Sequence, residues 1–403
     1  MIADYAGISP KGDLLLLQKL GDRLSGKSFL HVNSTRLGGG VAEILQRMVP
    51  ILTELGIKAR WEIIEGDQKF FDITKRIHNA LQGDRVQISK EMWDYHFEVN
   101  KKNAGRLSLE ADAVLIHDPQ PVPLIKFRRG GKWIWRCHID LSNPAKDVAR
   151  SLRRYCEKYD AAIFSVAKFV MPMALDQFII QPSIDPVSEK NREVAKEEIG
   201  ETAERLHIPL DRPIMLQVSR FDLFKDPIGV IKAYRMVKKY NDCILVLAGS
   251  PATDDPEGEV VLSAVREFAA DDPDIRILML PPNSDRDINV LQRIATIILQ
   301  KSLKEGFGLT VAEGMWKGKP VIGGAVGGIP TQIIDGLNGF LVHSVEGVAF
   351  RARQLLNNPE MAKAMGEQGR EHVRTNFLIT RQIRDYLSVW YSLEQGRKTV
   401  LEL

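Results

Sequence analysis

The chain has 403 residues, of which 44% are apolar and 27% charged, and its net charge is +3. That length supports two domains, each with its own core, and the balance is that of a soluble globular protein. So small a charge, with no arginine-rich tract and no series of stacking aromatics, leaves no case for a nucleic-acid surface. Cys137, Cys156 and Cys243 show neither a CxxC nor a Cys/His ligand spacing and read as reduced core thiols. The run Leu14 to Leu17 is too short and too closely flanked by charges for a secretory leader, and no apolar run approaches the roughly 20 residues of a membrane span. A cytoplasmic protein with no membrane partner is expected.

Along the chain, short apolar runs alternate with helical periodicity. Phe29-Leu-His-Val32 reads as a strand and leads into the Gly38-Gly-Gly40 loop. Apolar residues at Val41, Ile44, Leu45, Met48, Val49, Leu52 and Leu55 then give helical spacing, and Arg60 to Ile64 reads as the next strand. Further strands are expected at Ala113 to Ile116, Trp133 to Trp135 and Ala161 to Ser165. Between about Gln181 and Pro213 the pattern breaks. Gln181-Pro-Ser-Ile-Asp-Pro186 is extended and turn-rich, and Glu189 to Leu206 reads as a charged helix. A second alternating series follows, with strands expected at 214–218, 244–247, 275–279, 296–300, 320–322 and 340–342. Ile379, Ile383, Leu387 and Trp390 mark a last helix. The fold class is α/β, because such alternation produces parallel sheets covered on both faces. The domains are placed at 1–205, a first Rossmann-like domain, and 206–377, a second. Residues 378–403 form a helix packing back across the junction.

Open α/β sheets bind ligands beyond the carboxyl ends of their strands, and the polar clusters gather there. Glu305-Gly-Phe-Gly-Leu-Thr-Val-Ala-Glu313 follows the 296–300 strand, and its glycine turn opens a helix. Backbone N–H groups and a positive dipole end then face the ligand side, which suits a phosphate. The two glutamates admit three readings: solvated carboxylates beside a tight turn, the paired carboxylates of a retaining glycosidase, or contacts to a nucleotide sugar. The glycosidase pair needs a separation of about 5–5.5 Å, which this turn and partial helix disfavour. In the third reading Glu313, placed in the first helical turn, accepts ribose hydroxyls and Glu305 faces the sugar. Arg220 and Lys225 follow the 214–218 strand and either converge on one diphosphate or pair locally with Asp222 and Asp226. In the first domain, Gly39 and Gly40 open a helix without the dinucleotide GxGxxG spacing. Their amides serve either close packing or an anion or sugar across the cleft. His117-Asp-Pro-Gln120 and Cys137-His-Ile-Asp140 end two strands. Neither has a zinc spacing, and together they suit sugar hydroxyls. Neither GxSxG nor a Walker A loop is present.

Glu305 to Glu313 resembles the E-x7-E signature of retaining glycosyltransferases of the GT-B fold, the family 4 type, two Rossmann-like domains with parallel sheets facing across a cleft. The glycine loop, His138 and the Arg220/Lys225 pair match that family's other positions, and the likeness covers essentially the whole chain. More narrowly, His31-Val-Asn-Ser-Thr35, His117-Asp-Pro-Gln-Pro121, Arg136-Cys-His-Ile-Asp140, Gln181-Pro-Ser-Ile-Asp-Pro186 and Ser302-Leu-Lys-Glu-Gly-Phe-Gly308 look like the trehalose glycosyltransferring synthases. Gly314-Met315-Trp316 departs from the small residues common in the broad family.

The resemblance implies a retaining transfer from NDP-glucose (ADP-, UDP- or GDP-glucose) to glucose, giving α,α-trehalose and NDP, and reversible. It places His138 and Glu305 at the donor glucose as catalytic residues. Gly39, Gly40, Arg220, Lys225, Leu309, Thr310 and Glu313 bind the donor, and Asp118 and Gln120 are assigned to the acceptor. No cofactor is required. A metal site is not expected, and Mg2+ would be an accessory to the diphosphate. A homodimer is compatible with this picture. The alternatives are a transferase of the same family acting on a sugar phosphate or glucan, and a non-catalytic nucleotide-sugar binder. A nicotinamide-dependent oxidoreductase is disfavoured by the glycine spacing.

Overall fold

The computed structural model describes residues 2–36, 39–249 and 256–396. The chain divides into two units: the first holds residues up to Ser183 together with the segment from Ile379, and the second runs from Ile184 to Leu378. Each is built on one six-stranded, all-parallel sheet.

In the first unit the strands are β1 (Ser28–Asn33), β2 (Lys58–Ile63), β3 (Ala113–His117), β4 (Lys132–Cys137), β5 (Ala161–Phe164) and β6 (Asp176–Ile179), in the order β2-β1-β3-β4-β5-β6. The β3 strand, Ala-Val-Leu-Ile-His, is buried throughout, as a central parallel strand under helices must be. Trp133 and Trp135 of β4 are fully buried, and the Trp135 ring meets Phe164 edge-on at 5.8 Å. In the second unit β7 (Ile214–Val218), β8 (Ile244–Gly249), β9 (Ile275–Met279), β10 (Ile297–Gln300), β11 (Val321–Gly324) and β12 (Phe340–Val342) follow the order β12-β11-β10-β7-β8-β9. Each sheet therefore reverses its strand order once, between β1 and β3 and between β7 and β10. Loops leaving those adjacent strand ends diverge and leave a crevice, which is where such sheets bind ligands.

Eleven of the twelve strands and the Gly40–Glu54 helix lie where the sequence places them. The short β6 lacks a clear apolar run and was not anticipated, and neither were the helices Lys11–Leu24, Gln68–Leu81, Lys90–Arg106 and Lys146–Cys156. The helix expected over 189–206 is confined to Lys196–Arg205. The residues before it are held otherwise, because Asn289 Nδ2 donates to the carbonyls of Glu189 and Arg192, both at 2.9 Å, and the Arg293 guanidinium donates to that of Arg192 at 2.8 Å. These bonds occupy carbonyls that a helix would use internally. The same ties explain why the second unit begins at Ile184, ahead of the expected 205/206 boundary. Ile184 also donates its amide to Phe377 at 2.8 Å and bridges to Leu378. All three cysteines are free and buried, and burial raises their thiol pKa values, so they behave as inert core groups. No helix among the described residues is long and apolar enough to cross a membrane.

The Ile379–Gln395 helix belongs to the first unit, where it packs on the Lys11–Leu24 helix. Its buried face carries Ile383, Leu387 and Trp390, at helical spacing. The Trp390 ring lies 4.9 Å from Phe29 of β1, and its Nε1–H donates to Glu394 at 2.9 Å. Trp390→Ala would leave a cavity against β1. It is expected to destabilise the first unit by about 3–5 kcal/mol, read as a lowered urea midpoint, and a change below about 1 kcal/mol would refute that anchoring role.

Candidate active site

At the crevice of the second sheet, the segment after β7 is shaped by Asp222, whose carboxylate accepts from the Lys225 amide at 3.1 Å, and by Asp226, which accepts from the Gly229 amide at 3.0 Å. Gln217, buried in β7, donates to the Lys225 carbonyl at 2.7 Å. These bonds aim the Lys225 side chain across to the loop after β10. There its Nζ meets Glu305 Oε2 at 2.6 Å, and Gln300 Nε2 and Ser302 Oγ both donate to that same oxygen at 3.1 Å. One carboxylate oxygen thus takes three donors. Oε1 has no hydrogen bond among the described residues. Arg220 is well exposed, with Nη2 3.4 Å from Asp222 Oδ2, so the local Arg220–Asp222 contact forms. Lys225 does not pair with Asp226, whose carboxylate binds Lys301.

The Gly306-Phe-Gly308 turn opens the Leu309–Trp316 helix, with Gly308 in the left-handed region at φ 82° as its N-cap. Gln332 holds the turn from behind, donating to the Phe307 carbonyl at 2.6 Å. Gly327, at φ 56°, lies so close that a Cβ there would fall 1.7 Å from the Glu305 carbonyl oxygen. First-turn amides of a helix have no intrahelical acceptor, so those of Leu309 and Thr310 present a donor edge beside Lys225 and Glu305. The Thr310 hydroxyl also contacts the Val218 carbonyl at 3.4 Å. Glu313 lies in the second turn, not the first, because the helix starts at Leu309 rather than at the glycines. It is nonetheless buried. Gln292 Nε2 donates to its Oε2 at 3.0 Å, and Lys190 Nζ lies 3.8 Å from its Oε1.

In the first unit, Gly39 (φ 80°) caps the helix that begins at Gly40, and Gly38 lies outside the described residues. The loops after β3 and β4 are joined at Asp118. This residue adopts φ 64°, a conformation an aspartate tolerates better than most. Its amide donates to the Arg136 carbonyl and its Oδ1 accepts from the His138 amide, both at 2.8 Å. The Asp118 carboxylate, expected at acceptor hydroxyls, thus also fixes the His138 backbone. Gln120 offers its carbonyl to His96 Nε2 at 2.8 Å and Asn100 Nδ2 at 3.0 Å, while its Oε1 is buried with no hydrogen-bond partner among the described residues.

Sequence reasoning missed a row of imidazoles. His31 Nδ1 lies 3.2 Å from His117 Nε2, and His117 Nδ1 lies 3.0 Å from His138 Nε2. The rings stack with centroids 5.5 and 5.3 Å apart. Its only trace in the sequence is that two adjacent strands, β1 and β3, and the end of β4 each carry a histidine. Burial lowers the His31 pKa to about 3 and those of His117 and His138 well below the ordinary value, helped by the fully buried Arg136 guanidinium nearby. Burial also pushes the Asp118 carboxyl up to about 6, against the pull of the His138 amide and the Arg136 charge. Gln217, Gln300, Gln292, Gln332 and Lys190 were likewise not anticipated. The signal for Gln217 and Gln300 was an amide at or next to the end of an otherwise apolar strand. Among the described residues no cluster of His, Cys, Asp and Glu is arranged to hold a metal.

These shifts set the pH response. His31, His117, His138 and His96, the last lowered to about 4 by burial, are neutral when folded and take up protons near pH 6.5 when unfolded. Their contribution is complete above pH 6.5 and is lost as pH falls through the folded values. Asp118 acts oppositely, stabilising below about pH 4 and losing that as pH rises through 6. Four imidazoles outweigh one carboxyl, so stability should fall from pH 6.5 to 4.5, by about 1.4 kcal/mol per pH unit for each net proton. Urea unfolding at pH 7 and 5 tests this, and His31→Gln should flatten the slope by close to one proton. An unchanged slope in that variant would rule His31 out as a contributor.

Residues 31–171 match the family model described as trehalose synthase, N-terminal domain, and residues 198–372 match the one for glycosyl transferases group 1. The trehalose synthase of Pyrococcus horikoshii is 46% identical over 400 residues, covering 97% of this chain and 96% of that protein. The trehalose synthase of Rubrobacter xylanophilus is 41% identical over 403 residues, covering 97% of each. Among solved structures, the α,α-trehalose-phosphate synthase (UDP-forming) from Burkholderia xenovorans in complex with glucose-6-phosphate matches with a TM-score of 0.72 at 14% identity, over 91% of this chain and 100% of that one, a likeness of fold. With two parallel α/β sheets and relatives of this extent, the chain belongs to the trehalose synthase family of glycosyltransferases and has the GT-B fold.

Proposed function

We propose that the protein is a retaining glucosyltransferase that joins NDP-glucose to glucose, giving α,α-trehalose and NDP, and that it runs in both directions. The observation that carries this is the grouping of Lys225, Glu305 and the start of the Leu309–Trp316 helix at one strand-order reversal. A helix start beside a lysine suits a diphosphate, and an anchored carboxylate with one open oxygen suits a sugar hydroxyl. The names of the full-length relatives support trehalose as the product.

In this reading the Leu309 and Thr310 amides, Lys225 and Arg220 take up the charge that develops on the departing diphosphate. Glu313 accepts ribose hydroxyls, and Glu305 Oε1 orients the glucose. The acceptor hydroxyl attacks from the face that the diphosphate leaves and passes its proton to a diphosphate oxygen as the sugar–phosphate bond breaks and the glycosidic bond forms, so the α configuration is kept without a protein nucleophile. On the first unit, His138 contacts the donor glucose and its carbonyl steadies positive charge at the anomeric carbon. The Gly39 and Gly40 amides contribute to the donor, and Gln120, with its unpartnered Oε1, addresses the acceptor. Asp118 addresses the acceptor as well, and its Oδ1 also holds the His138 amide. No cofactor is needed, Mg2+ enters only as an accessory counter-ion to the diphosphate, and the enzyme works in the cytoplasm.

Incubation with ADP-, UDP- or GDP-glucose plus glucose should yield α,α-trehalose, identified by NMR. Its absence with every donor would overturn the proposal. Arg220→Ala and Glu313→Gln should each lower kcat/KM for the donor by about 1.5–3 kcal/mol in transition-state terms, roughly 10- to 150-fold, with the melting temperature little changed. An unchanged kcat/KM in Arg220→Ala would remove that residue from the diphosphate site.

A further inference from the structure

A neutral imidazole has one N–H and one lone pair, so each link in the row His31, His117, His138 holds a single proton. Only two neutral arrangements satisfy both links. Either all three rings are protonated at Nδ1, with His31 donating to His117 and His117 to His138, or all three are protonated at Nε2 and the direction reverses. The buried end of the row decides between them. His31 Nε2 is buried with no hydrogen-bond partner among the described residues, and its ring lies 4.4 Å from that of Phe29. The reversed arrangement would bury an N–H without an acceptor, whereas the forward one leaves only an unused lone pair there. Orphaned buried N–H groups are the rarer of the two in folded proteins.

We propose that His31 and His117 are positioning residues that lock His138 in its Nδ1–H form, so that the nitrogen left over at the end of the row donates a hydrogen bond to an oxygen of the bound sugar. The identity of that partner rests on the glucosyltransferase reading. The tautomer does not. The backbone of His138 is fixed independently, by its amide bond to Asp118 Oδ1 at 2.8 Å, so ring and main chain are held from two sides. A ring whose Nε2 accepts from His117 and whose Nδ1 already carries a proton has no free lone pair with which to take one from an acceptor hydroxyl. His138 is therefore a hydrogen-bond donor and not a general base.

The test is a long-range 1H–15N correlation spectrum of the whole protein labelled with 15N-histidine at pH 7, assigned by single substitutions. Protonation at Nδ1 in all three rings is expected, and protonation of His138 at Nε2 overturns the proposal. A second arm compares His117→Asn, whose side-chain amide keeps a donor near the Nδ1 position, with His117→Leu, which has none. The leucine variant should lose about tenfold or more in kcat/KM for trehalose formation, and the asparagine variant should recover most of that loss. Equal losses in the two variants would reduce His117 to a packing role and overturn the proposal. If the wild-type protein forms no trehalose from any donor, the glucosyltransferase reading fails while the spectrum still decides the tautomer.

Discussion

The ion pair between Lys225 and Glu305 is the contact on which the second unit's site depends, because it joins the two loops that the strand order forces apart. A buried pair of this kind gains little on balance unless its remaining atoms are satisfied. Here the rest is supplied by the strand ends themselves. Gln217 holds the lysine backbone, while Gln300 and Ser302 complete the shell of Glu305 Oε2. The Gly-Phe-Gly turn is then confined from the other side by Gln332 and by the close approach of Gly327. Geometry at the helix start is thus fixed by buried polar side chains of the surrounding loops and strand ends.

The first unit meets the same demand with different chemistry. Its reversal point carries neutral rings and one left-handed aspartate instead of an ion pair. Two buried imidazoles, a half-buried third and a buried guanidinium are costly to desolvate, and Arg136 keeps two of its nitrogens, Nε and Nη1, without hydrogen bonds among the described residues. Such groups weaken a fold that aliphatic residues would stabilise. His31, His117 and Arg136 lie on the adjacent strands β1, β3 and β4, and His138 follows β4.

Much of this was legible in the sequence, and the remainder was hidden for identifiable reasons. The parallel sheets could be read because buried strands are continuous apolar runs, and the glycine turn after β10 because only a few backbone paths need glycine twice in three residues. The shortened 196–205 helix could not, since its limit is set by Asn289 and Arg293 far along the chain. Glu313 slipped from the first turn to the second because helix starts are uncertain by a residue or two without the cap geometry. The histidine row and the glutamines around Glu305 are contacts across strands whose order periodicity does not reveal. The bond from the His138 amide to Asp118 was hidden for a similar reason: it depends on the left-handed backbone at Asp118, which turns the carboxylate toward that amide.

The placement of the final helix bears on biosynthesis. The second unit is one uninterrupted stretch, Ile184 to Leu378, whereas the first needs the segment from Ile379 to finish its core around Trp390. A ribosome delivers the chain from its N-terminus at about 5–20 residues per second. The unit that begins first is therefore the one that completes last. Until Trp390 emerges, the helix seat against Phe29 is bare apolar surface, and the nascent first unit cannot close its core.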